Sequence, residues 1–240
     1  MVLWIPKALA VAAVASTLAG SQARSPEENA LSQQLQLLRS DPESAGRLGA
    51  EARLLHYLAA SSPEGPLRDQ LQAQGLAVSG KALRLNPSEP SALLWWCAHR
   101  GSQATPLHPF EAVKIAKEVE TALLKLHAVA PDYEHFAADR VLGHLYQVAP
   151  PLISLGSMQK AEAHFRSALE GDPTFPANAL FFAEFLAKRH DRQGAKKYAD
   201  QVLDSPELAR YPLDSKDWVI RARRLLESAP RELKANREDR

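Results

Sequence analysis

A helix ending that repeats is the strongest constraint on how this chain can fold. It reads Lys81-Ala82-Leu83-Arg84-Leu85-Asn86-Pro87, then Leu126-His127-Ala128-Val129-Ala130-Pro131, then Ala168-Leu169-Glu170-Gly171-Asp172-Pro173. Each phrase closes an amphipathic helix with a small polar turn and a proline, which cannot continue it. Recurring helix ends imply recurring helix pairs. A chain of such pairs buries its apolar faces by stacking neighbour on neighbour, without one central core.

The tetratricopeptide pattern tests this position by position. Its second helix requires a small residue, a large one four later, a small one three later and a proline five beyond. Ala161, Phe165, Ala168 and Pro173 meet that spacing, and Leu142-Gly143 with Tyr146 supply the matching part of the preceding helix. Small residues let the helices approach closely and aromatics fill the space between pairs. A looser unit follows with Phe182, Leu186, Ala195, Ala199, Val202 and Pro206. No segment alternates with period two, so no sheet is expected. The expected fold is an all-α, tetratricopeptide-like solenoid of about four to five helix pairs, with a capping helix at the C-terminus.

The other boundaries follow from local chemistry. Residues 1–23 carry one charge, Lys7, followed by an apolar run from Ala8 to Leu18 and then small residues. That is the layout of an export signal, too short to span a bilayer, with cleavage after Ala19 or Ala23. Leu18-Ala19-Gly20 precedes the modified cysteine in bacterial lipoprotein signals, but Ser21 stands at that place. A hydroxyl cannot form the lipid-bearing thioether, so no lipid anchor is expected. Ser25-Pro26-Glu27-Glu28 reads as a helix start, with a cap, an early proline and acids at the positive dipole end. The domain is expected over 24–228, closing with a helix through Trp218, Ile220, Ala222 and Leu225 that turns Arg221, Arg223 and Arg224 to water. A charged tail, 229–240, follows and reads as disordered.

Departures from the repeat are also informative. Pro173 to Pro206 is 33 residues, near the standard period, but Pro131 to Pro173 is 42 and Pro87 to Pro131 is 44. The extra residues are placed at about His99–Pro109 and Val148–Met158, on one edge of the stack. The second insertion is apolar, and Pro150, Leu152 and Ile153 are candidates for contact with a partner or a second copy of the chain.

Charge and chemistry narrow the function. Removing residues 1–23 leaves 28 basic against 28 acidic side chains, so no basic field exists to attract nucleic acid. The one cysteine, Cys97, sits in an apolar run and reads as a buried, inert thiol. Gly75 to Ala82 resembles a phosphate-binding loop, but no strand precedes it and Ala82 stands where a magnesium-holding hydroxyl is needed. No His-Glu-x-x-His, no zinc cluster and no nucleophile elbow occur; His135 and Asp139 could share a helix face as a solvated contact. No catalysis, metal or cofactor is expected. What remains is the groove lined by the first helix of each pair, offering Arg140, His144 and Gln147, then Asn178, Glu184 and Lys188.

One stretch supports a narrower resemblance. Ala130-Pro131-Asp132-Tyr133, Asp139-Arg140-Val141-Leu142-Gly143, the apolar Pro-Pro insertion, Gly156 to Phe165, and Phe182-Ala183-Glu184-Phe185 resemble the T component of tripartite periplasmic (TRAP-type) transporters. The resemblance implies an exported all-helical protein that pairs with a solute-binding subunit, some relatives forming rings with a central pore. The expected role is therefore a periplasmic or secreted interaction module, an accessory of a solute transporter. The alternatives are a general scaffold for envelope assembly and a relative of the tetratricopeptide regulators of microtubule dynamics.

Overall fold

The computed structural model describes residues 25–104, 109–149 and 155–227, and among them ten α-helices and no strand. In order these are α1 (Pro26–Ser40), α2 (Ala45–Ser61), α3 (Pro66–Leu85), α4 (Pro90–Ser102), α5 (Pro109–Val129), α6 (Tyr133–Val148), α7 (Met158–Gly171), α8 (Pro176–Lys188), α9 (Arg192–Leu203) and α10 (Ser215–Glu227). A 3-10 turn, Pro206–Arg210, precedes α10. The expected signal at 1–23, the tail at 229–240 and the contact residues Pro150, Leu152 and Ile153 lie outside the described residues.

Four helix pairs, α2–α3, α4–α5, α6–α7 and α8–α9, make up the stack, with α1 and α10 as its flanking helices. Local sequence sets the starts. Ser25 accepts from the Glu28 amide while Glu28 Oε2 accepts from the Ser25 amide, a complete capping box. Ser44, Ser157 and Asp191 cap α2, α7 and α9 more simply, each side chain accepting from the amide three residues on. Proline opens α1, α3, α4 and α8, where its missing N–H costs nothing.

The repeat residues lie where their spacing puts them. Leu142, Ala161, Phe165 and Ala168 are buried, with Phe165 against Phe185 at 5.5 Å between ring centres. Gly143 has a steric reason: a Cβ there would lie 2.7 Å from the Phe165 ring. The interior is a series of overlapping clusters along the stack. Ala122 joins the α2–α6 cluster to the α4–α9 cluster, and Leu169 and Tyr198 join that one to the α8–α10 cluster. Burial of this kind makes each pair depend on its neighbours.

Two expectations fail here. The first insertion does not begin at His99, because α4 continues to Ser102 and His99 is fully buried. Its ring lies against α3, occupying the space a Gly75 Cβ would need, and its nitrogens face Ala52 O at 2.9 Å and Gln72 Oε1 at 2.6 Å. Gly75 therefore admits a ring, and α3 runs unbroken through the stretch that resembled a phosphate loop. On α10, Trp218 and Ala222 are buried as expected, but Ile220 faces outward and Arg221 faces inward. Arg221 is held there by a bidentate pair with Glu184, Nε at 2.8 Å and Nη2 at 2.7 Å.

The two ends of the stack meet. Tyr57 Oη on α2 donates to Asp214 Oδ2 at 3.1 Å, and Lys216 on α10 pairs with Glu27 on α1 at 2.7 Å. The concave face thus lies between α2, α4, α6, α8 and the segment leading into α10.

Candidate functional site

The concave face is positioned by one unusual piece of backbone. Glu134, His135 and Phe136 at the start of α6 have φ of 47, 57 and 60°, three consecutive left-handed residues without a glycine. Side chains of this type enter that region at a cost, and strain of this sort collects at functional sites. Three contacts hold the turn. The Phe136 ring covers Gly171, where it fills the space a Cβ would take. His135 stacks on Phe175 with ring centres 4.1 Å apart. Its Nδ1–H donates to Asp172 Oδ2 at 2.7 Å, which leaves Nε2 facing the Tyr211 hydroxyl, also at 2.7 Å. Burial alone would raise the Asp172 carboxyl, but bonds from His135 and Thr174 outweigh it and hold it low.

The left-handed turn aims two carbonyls at Arg140. Arg140 Nη1 donates to His135 O at 2.9 Å and to Asn178 Oδ1 at 2.6 Å, and Nη2 donates to Glu134 O at 3.3 Å. The guanidinium lies over the Phe175 ring, 5.0 Å from its centre. Burial pushes Arg140 down to about 10, against the opposing pull of Glu134, Asp214 and Asp172. Asn178, itself buried, donates to Ala168 O and Asp172 O, so it closes the end of α7 while holding Arg140.

The other groove residues are also engaged. Glu184 is taken by Arg221, which also pairs with Asp217. His144 meets the edge of Phe181, and burial pushes it down to about 4. The Gln147 backbone carbonyl accepts from Lys188 Nζ at 3.1 Å. The structure thus joins Arg140 to Asn178 and α6 to α8, but it places Glu184 in a pair with α10. His135 and Asp139 do not pair, because the left-handed turn directs them apart. Asp139, 1% exposed, instead accepts from His164, His127 and Ser167 at 2.6, 3.2 and 3.0 Å.

Several groove residues carry no signal in the sequence. Arg53 pairs with Glu134 at 3.1 Å and lies over the Tyr57 and Trp95 rings. Tyr211 and Asp214 reach the groove from the far end of the chain. Only the Tyr211-Pro212 break marks that segment in the sequence. Cys97 is buried, and desolvation pushes its thiol up, as its apolar setting predicts. Among the described residues no cluster of His, Cys, Asp and Glu suits a metal, and no helix is long and apolar enough to cross a membrane.

Comparison with known proteins agrees with this architecture. The chain resembles a thermophilic tetratricopeptide-repeat protein of Thermus thermophilus, whose crystal structure superposes with a TM-score of 0.55 at 16% identity, covering 83% of this chain and 99% of that one. At that identity the likeness concerns the fold. No curated protein matches. The sequence profile of the TRAP transporter T-component matches residues 8–229, nearly the whole chain. A stack of tetratricopeptide-like pairs matched over that span belongs to the TRAP transporter T-component family.

Proposed function

We propose that this protein is an exported accessory of a TRAP-type transporter that works by binding, with its concave face contacting the solute-binding subunit. The family match over residues 8–229 carries this reading. The groove supports it: a surface of both charge signs and several aromatic rings is suited to a specific protein contact more than to bond-making. Lys7 with the apolar and small residues after it supports export, and Ser21 argues against a lipid anchor on this chain. Pro150, Leu152 and Ile153, in the apolar insertion, are the residues proposed for self-association or partner contact.

The test is direct mixing. The purified mature protein and the solute-binding subunit of its transporter should form a complex in sedimentation velocity, and charge reversal at Arg53 should weaken it. Absence of a complex, with and without solute, would sink the reading. Mass spectrometry of the envelope fraction should give a chain beginning after Ala19 or Ala23 with no lipid mass added.

A further inference from the structure

We propose that residues 205–214 form a latched strap over one side of the concave face, which lifts as a unit while the four helix pairs stay folded. That the strap thereby controls the entry of a partner rests on the reading of that face given above.

The strap runs from α9 to α10 and meets α6 and α2 on the way. No residue in it is buried. Its backbone amides bond close by, Leu208 to Ser205 O, Tyr211 to Leu208 O and Asp214 to Tyr211 O. Among the described residues none reaches the helices that the strap meets. Side chains alone tie it to the face. Tyr211 Oη meets His135 Nε2 at 2.7 Å, and its ring stands edge-on to Phe175 with centres 5.2 Å apart. Asp214 Oδ2 accepts from Tyr57 Oη at 3.1 Å. Leu208 and Tyr211 add partly buried contact with the α8–α10 cluster. A segment with so little buried surface and no backbone tie belongs to the low-stability end of a fold.

The surroundings let it move in one piece. Pro206 and Pro212 fix φ near its two ends and stiffen the stretch between them, which holds the 3-10 turn Pro206–Arg210. The helix after it, α10, has anchors of its own: Trp218 and Ala222 in the core, and Arg221 on Glu184. The face beneath is held without the strap. Arg53 pairs with Glu134, and Arg140 is fixed by His135 O and Asn178 Oδ1.

The Asp214 tie responds to pH. Facing it are Tyr57 and Arg53 from α2, and Glu134 and Arg140 from α6. Burial raises its carboxyl against the pull of Tyr57, Arg53 and Arg140, and Glu134 adds to the rise. Lifting the strap returns that carboxyl to water and to its ordinary value. Protonation therefore favours the closed strap, and ionisation, as pH climbs through the raised value, favours the open one. The tie at His135 survives either state of the ring, because the Tyr211 hydroxyl can donate or accept.

Distances between paired spin labels test the idea. Exposed Ala209→Cys with Ala77→Cys on α3 reports the strap, Ala77→Cys with Ala163→Cys on α7 reports the stack, and buried Cys97 stays unlabelled. Tyr211→Phe with Asp214→Ala cuts both ties from the strap side and leaves the face intact. A second strap distance should gain share by at least about tenfold in that double variant, with the stack distance unchanged. With Tyr211 and Asp214 in place, the same share should climb between about pH 4 and pH 8, and Asp214→Asn should abolish the climb. This series does not depend on the double variant folding. A single strap distance at every pH overturns the proposal, as does a strap distance that changes only together with the stack distance. In sedimentation velocity the double variant should bind the solute-binding subunit at least about threefold more tightly. Equal or weaker binding overturns control of entry. If neither protein binds that subunit, the partner reading fails and the distances alone decide the strap.

Discussion

Tyr57→Phe removes one hydroxyl and tests whether the contact between the two ends of the stack supports the fold. Tyr57 lies on α2 and its acceptor, Asp214, is 157 residues away. The phenyl ring would keep its neighbours, Trp95 at 5.8 Å, His56 at 5.9 Å and the Arg53 guanidinium at 5.8 Å. The loss is therefore one hydrogen bond to a mostly buried carboxylate, worth about 2 kcal/mol. For a protein of this size each kcal/mol moves the melting temperature by roughly 2–4 °C, so Tm should fall by about 4–8 °C. Location is the sharper measurement. Exchange should rise in Pro206–Arg210 and at the start of α10, and on the far side in α1 and α2. Tyr198→Phe is the control: that ring packs on Phe182 at 5.0 Å, and its hydroxyl makes no hydrogen bond among the described residues. It should change stability by no more than about 0.5 kcal/mol. A Tm shift below about 1 °C for Tyr57→Phe, or increased exchange at one end alone, would refute the reasoning.

Other outcomes can be checked in the same way. Gly143→Ala sets a methyl 2.7 Å from the Phe165 ring and should cost about 1–3 kcal/mol by urea denaturation. Asp139→Asn should cost about 2–4 kcal/mol, because it weakens three hydrogen bonds at a buried site. Burial alone would raise the Asp139 carboxyl, but its bonds to His164, His127 and Ser167 hold it low. Its contribution is thus present above the ordinary carboxylate pKa and lost as pH falls through the lowered one, and acid unfolding of Asp139→Asn should lack that component. Asp214 has the opposite sign. Desolvation raises its pKa despite the Tyr57 bond, so the folded protein holds that proton longer than the unfolded chain. Stability should fall as pH rises from the ordinary carboxylate value through the raised one, and Asp214→Asn should flatten that part of the profile in melts at stepped pH.

The parts of the fold that depend on near neighbours were legible in the sequence. The capping box at Ser25, the prolines opening helices and the Leu142-Gly143-Tyr146 and Ala161-Phe165-Ala168 spacings all act within a few turns of helix. The groove was legible only as a face. Arg140 and Asn178 could be assigned to neighbouring first helices, but the sequence does not reveal that Glu-His-Phe is left-handed, because nothing in those three residue types favours that region. Their conformation is imposed from outside, by Gly171 beneath Phe136 and by Phe175 and Asp172 around His135. Arg221 departs from its sequence reading for a related reason. An arginine on an amphipathic helix reads as solvated until its partner is known, and Glu184 lies 37 residues away. Proline spacing alone places an insertion near His99, and the partners that hold this residue on α2 and α3 are invisible to local reading.

Contact between Tyr57 and Asp214, and between Glu27 and Lys216, changes how the protein should come apart. An open array of repeats behaves as a one-dimensional chain that can peel from either terminus, each unit answering only to its neighbours. Joining the ends turns that line into a loop. The link runs chiefly through the part-buried Tyr57–Asp214 bond, because the exposed Lys216–Glu27 pair adds little. Folding acquires a late step, since contacts this distant in sequence must wait for the units between them and carry the entropy of closing a long segment. A protein of this type should unfold in one concerted transition, and loss of α10 should loosen the beginning of the chain as much as its end.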